Sequence, residues 1–174
     1  MSLNRQIAKP LSRNDIKHIA AEIRSLLGLN DILYVDIMVL FELILPRIFS
    51  EDEFDYEVVP KEEFPDLYAI TLGGKRILIR EDVYERACAG SPRDRFTVAH
   101  EIGHFILHEK SDVGLARMDS DERIPAYMDP EWQANVFAGY LLMGENLIEN
   151  MTVDEIVEKC GVSYAAAYIQ KTKK

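Results

Sequence analysis

The stretch Arg95 to His108, RFTVAHEIGHFILH, constrains this chain more than any other, because it joins a helical apolar pattern to polar residues at a spacing that dictates chemistry. Phe96, Val98, Ala99, Ile102, Gly103, Phe105, Ile106 and Leu107 make the helix apolar on nearly every side, as expected of a buried element. Ser91 suits its N-cap, Pro92 its first turn, and Asp94 completes a Ser-x-x-Asp box. Within it lies HExxH. His100 and His104 are four residues apart, so both imidazoles leave one face of the helix within reach of a single ion. Zinc suits two imidazoles and a carboxylate with a fourth position kept for water, and Glu101 stands where a carboxylate can take that water's proton. A merely structural histidine pair would have no need of Glu101, and two of the four histidines in the chain fall at this spacing.

At 174 residues, 48% hydrophobic and 29% charged, the chain is long enough for one good core, and one domain is expected. Its net charge of −10 argues against direct nucleic-acid binding, which draws on Lys and Arg, and would suit a basic partner. The acidity gathers at residues 51–63 and 119–122, read here as solvated loops. No apolar run approaches a membrane span and MSLNRQIAKP lacks the apolar core of a secretion signal, so a cytoplasmic protein without membrane association is expected. Cys88 and Cys160 lack redox or metal spacing and read as idle thiols.

Ile16, Ile19, Ala20, Ile23, Leu26 and Leu27 predict a helix over residues 12–27, opened by Ser12 or Asn14 and closed by Gly28. His18 lies on it in a surface or packing role. A second apolar helix is predicted over 35–45, ending near Pro46. Residues 54–59, 67–72 and 76–80 read as strands of a small antiparallel sheet, the last two joined at Gly73-Gly74. An open edge of that sheet above the metal would let a substrate peptide add as an extra strand. A short helix over 82–89 precedes Gly90, and residues 109–128, without period, read as a loop at the cleft rim.

Two imidazoles do not complete a catalytic zinc site. The metzincin continuation fails, since it needs Gly at 107 and His at 110 where the chain has Leu107 and Lys110. The carboxylate candidates are Glu109, Asp112, Asp119, Asp121, Glu122, Asp129, Glu131 and Glu145. Glu131 is favoured: Asp129-Pro130 opens a helix carrying Trp132, Val136, Phe137, Tyr140, Leu141 and Leu142, a rigid apolar support. Asn135, one turn on, can hold the free ring N–H of a zinc-bound histidine, and the small Ala134 and Ala138 permit close approach to the HExxH helix. Tyr127 and Tyr140 are possible oxyanion donors.

RFTVAHEIGHFILH followed by EWQANVFAGYLLM resembles the ImmA/IrrE family of zinc metallopeptidases, in which an HExxH helix precedes an E-x-x-A-N-x-F-A helix ending in Leu-Leu-Met. The resemblance covers roughly Tyr68 to Met143, and departs from the family where Gly144 replaces its usual proline. It implies zinc bound by His100, His104 and Glu131, with Glu101 as general base. It further implies an α+β, compact zincin-like fold: N-terminal helices, a small antiparallel sheet, the HExxH helix, the Glu-bearing helix and a short helical tail. The expected organisation is a metallopeptidase domain over 1–150, scaffold helices included, and a packed helical appendage over 151–174. Members of that family are often encoded beside helix-turn-helix repressors, and some relieve repression by cleaving them, in phage, mobile-element or stress-response circuits, so the resemblance implies such a repressor as protein substrate. The alternative is a zinc-containing protein that binds a regulator without cleaving it. Two short helices, Thr152–Lys159 and Ser163–Lys171, have helix-turn-helix spacing, but YAAAY offers no basic face for DNA.

Overall fold

A computed structural model describes residues 6–108, 114–115 and 124–173. Helix α1, Arg13–Leu26, opens with a complete capping box between Ser12 and Asp15 and turns off at Gly28, whose φ of +67° costs a residue without Cβ little. Helix α2 runs over residues 37–48, past the predicted stop at Pro46. Proline lacks an N–H and its ring crowds the carbonyl four residues back, and the chain answers by widening Leu40–Ile44 into a π turn.

The sheet corrects an expectation. Strands β2 (Asp55–Val59), β3 (Ala69–Leu72) and β4 (Arg76–Arg80) form an open sheet in the order β2-β4-β3, with β3 antiparallel to β4 but β2 parallel to it. It is mixed, not antiparallel. Strand β4 buries Ile77 and Ile79 and so takes the centre, while the parallel register sets Arg76 opposite Asp55, with ion pairs to Asp55 and Glu57. The Gly73-Gly74 turn joins β3 to β4 as expected, both glycines at positive φ. A separate two-stranded ladder pairs β1, Gln6–Ile7, with β5, Gly114–Leu115, inside the stretch read as a periodless loop. The remainder of that loop, apart from residues 124–128, lies outside the described residues.

Helix α3, Glu81–Cys88, leads to α4, Pro92–Leu107, the HExxH helix; α5, Pro130–Leu142, is the Glu131 helix. The core lies where α4, α5, α1, α2 and the inner sheet face meet, around Phe41, Val98, Ile102, Phe137 and Leu141. A buried Arg24 ties α1 to the end of α5 by donating to the Leu141 carbonyl at 2.5 Å. Helices α6, Val153–Cys160, and α7, Tyr164–Thr172, are capped by Thr152 and Ser163. Arg95 of α4, fully buried, donates to the carbonyls of Cys160 and Gly161 and to that of Val35, pinning the α6–α7 turn to the core. Among the described residues no helix is long and apolar enough to cross a membrane.

Candidate metal centre

Small residues let α4 and α5 approach closely enough to bring their polar groups together. A Cβ added at Gly103 would stand 3.1 Å from the Cα and carbonyl oxygen of Ala134 and 3.2 Å from Phe137, so the helix separation depends on glycine there. At this spacing His100, His104 and Glu131 each offer one ligand-capable atom, all within 4.8 Å of one another. The two histidine Nε2 atoms are 3.0 Å apart. Glu131 sets Oε2 3.2 Å from His100 Nε2 and Oε1 3.2 Å from His104 Nε2.

The outer hydrogen bonds decide which ring nitrogens carry protons. Gln133 Nε2 donates to the carbonyls of Lys9 and Tyr127, each at 2.8 Å, and this fixes its amide so that Oε1 faces His108 Nε2 at 2.9 Å. Oε1 can only accept, so His108 Nε2 bears the hydrogen. Burial pushes the His108 pKa down, keeping the ring neutral, and its Nδ1 is therefore an acceptor. His104 Nδ1, 3.0 Å from it, must donate, which leaves the His104 Nε2 lone pair bare. His100 Nδ1 donates likewise to Asn135 Oδ1 at 3.0 Å, baring His100 Nε2.

Two lone pairs and a carboxylate thus converge, and such a set repels itself unless positive charge lies between. A tetrahedral zinc with ligands at about 2.0 to 2.1 Å has ligand-to-ligand edges of about 3.3 Å, so the donor types and their spacing fit that ion. The local electrostatics agree. Burial disfavours the His100 imidazolium, but Glu131 and Glu101 outweigh it and raise the His100 pKa. Where protons take the place of that positive charge, the protonated imidazoles donate to Glu131 from Nε2 and hold its carboxyl well below the usual carboxylate range.

Glu101 is buried on α4 beside this set, and Thr71 of the edge strand β3 donates to its Oε2 at 2.6 Å. Its Oε1 makes no hydrogen bond among the described residues, leaving an acceptor for a water. The other acidic candidates are placed elsewhere or not described. Asp129 caps α5 through the Glu131 N–H, Glu145 pairs with Lys17, and Glu109, Asp112, Asp119, Asp121 and Glu122 lie outside the described residues. Of the two tyrosines, Tyr140 is buried beside Lys17 and His18, about half a helical turn around α5 from Glu131, and does not face the donors. Tyr127 contributes its carbonyl, to Gln133.

Three participants escaped the sequence reading. His108 could have been found, since 100, 104 and 108 continue one helical row. Gln133 and Thr71 could not, because their partners lie far away in the chain.

The α+β fold, with its helical core and small open sheet, and the His-His-Glu cluster between two helices are together consistent with a zincin-like arrangement. The family model for M78 peptidases, described as the IrrE N-terminal-like domain, matches residues 60–170, and the chain belongs to that family. A search of curated proteins finds no match.

Proposed function

We propose that the protein is a zinc-dependent endopeptidase, with His100, His104 and Glu131 as ligands and Glu101 as general base. Its substrate in this reading is a cytoplasmic regulatory protein of the helix-turn-helix repressor type. The convergence of two bare Nε2 atoms and a carboxylate beside the buried Glu101, in a chain of a peptidase family, carries the reading. Zinc bound there supplies a Lewis acid for the scissile carbonyl and makes a water more acidic. Glu101, held on one side by Thr71, takes the proton of the attacking water. It then gives that proton to the amine nitrogen as the C–N bond breaks and the new C–O bond forms. Asn135 and His108 keep each imidazole turned with its lone pair inward. Strand β3 sits at the edge of the sheet beside α4 and offers main-chain hydrogen bonds to an extended peptide. The repressor as substrate rests on the family resemblance and on the net charge of −10, which favours encounter with a basic partner.

The test is zinc per chain in wild type, His100→Ala and Glu131→Ala after loosely held metal is removed. About one zinc in wild type and a marked loss in both variants is expected. Absence of metal in wild type, even after zinc is supplied, would sink the mechanism.

A further inference from the structure

A groove of about 670 Å³ runs away from the donor cluster between α4, α5 and α7. Its walls are apolar, with Phe96, Trp132, Val136 and Ile169 among them. Among the described residues its charges are all of one sign: Arg13, Arg93 and Lys173 line it, no acidic residue does so, and none of the three joins an ion pair. In a chain of net charge −10, a groove whose charged lining among the described residues is cationic is a local reversal of the surface.

The groove is continuous with the candidate centre. Asn135 lines it and also holds His100 Nδ1 at 3.0 Å. From Glu131 to Gly139, α5 advances about 12 Å, the span of three or four extended residues. Strand β3 runs alongside, with Tyr68, just before it, under the Arg93 guanidinium at 4.7 Å and Thr71 at Glu101. A peptide added along β3 therefore lies next to the groove.

We propose that this groove receives three or four substrate residues on one side of the scissile bond, and that it selects an apolar stretch containing an acidic side chain. The inference rests on the endopeptidase reading for its substrate, but its chemistry is that of the groove. Apolar side chains fill the walls, and the acidic one is drawn to the cations that line them. Overall negative charge draws a basic partner, and the groove sets which segment of it docks.

The single tryptophan of the chain, Trp132, lines the groove and reports its occupancy by fluorescence. Two blocked hexapeptides serve as probes, one of alternating leucine and glutamate, one of alternating leucine and lysine, added to zinc-loaded Glu101→Gln protein so that neither is cut. The expected result is saturable binding of the glutamate peptide, about tenfold or more tighter than the lysine peptide. Its loss is expected in the double variant Arg93→Glu with Lys173→Glu, whose exposed side chains can be reversed without disturbing the core. The glutamate peptide should also inhibit cleavage of unfolded casein by wild type. Equal binding of both peptides, binding indifferent to the double reversal, or binding without inhibition of an active protease overturns the proposal. Casein left intact by wild type, with peptide selectivity preserved, overturns the endopeptidase reading and leaves the groove as an acidic-peptide site.

Discussion

His108 Nδ1 accepts a hydrogen bond from His104 Nδ1 at 3.0 Å, one helical turn beyond the pair that the HExxH motif names. The bond is the middle of a relay that begins at the carbonyls of Lys9 and Tyr127 and passes through Gln133. The N-terminal segment, laid along residues 127–128 by backbone bonds from Ala8 and Leu11, thereby sets the tautomer of His104. His108→Leu should lower zinc affinity by about 10- to 100-fold, the usual cost of losing an outer partner of a metal-bound histidine. Competition with a chelating dye measures it, and Gln133→Leu should move the affinity in the same direction. Unchanged affinity in both variants would reduce the relay to packing.

Glu101 is expected to matter for turnover and not for metal. Glu101→Gln should keep zinc near the wild-type amount while casein cleavage falls by about a hundredfold or more, the range of a lost general base. Thr71→Val, which removes the hydroxyl donating to Oε2, should lower the rate without releasing zinc. Retained cleavage in Glu101→Gln would remove Glu101 from the chemistry.

Gly103 controls how close α4 and α5 lie. Gly103→Ala puts a methyl group 3.1 Å from the backbone of Ala134, which cannot step aside as a flexible side chain would. Overpacking of this kind costs about 1 to 3 kcal/mol. Denaturant unfolding should show the loss, and zinc affinity should fall with it as Glu131 is carried away from the histidines.

Asp94 links folding to pH. Burial alone would raise its pKa, but Arg86, donating from Nε at 2.9 Å and Nη2 at 3.0 Å, and the Ser91 hydroxyl at 2.6 Å pull it below the ordinary value. A carboxyl depressed in the folded state stabilises the fold at pH above its unfolded pKa, about 3.9, and loses that contribution as pH falls through the folded pKa. Asp94→Asn should therefore melt lower than wild type at pH 7, with the gap closing below about pH 4. A gap independent of pH would mean that the ionised carboxylate is not what stabilises the N-terminus of α4.

Much of this protein was legible in local pattern. The placing of His100 and His104 on one face follows from helical geometry within five residues, and the caps at Ser12, Ser91, Thr152 and Ser163 follow from side chains that reach only three residues along the chain. The nearness of Glu131 and Asn135 to the histidines was legible less directly, through a rigid helix start and the small residues that let two helices meet.

What local pattern by itself determined, then, was most of the elements, the capped helix starts and the spacing of the candidate donors. Tertiary structure alone decided the parallel pairing of β2 with β4, the extension of α2 past Pro46, and the partnerships of Thr71 with Glu101 and Gln133 with His108. The cationic groove belongs with them, since α1, α4, α5 and α7 all contribute to it. The reason is physical: periodicity and capping are satisfied within a turn or two of chain, whereas a sheet order, a hydrogen bond such as that from Gln133 to Lys9, or a groove depends on groups that only the packed core brings together.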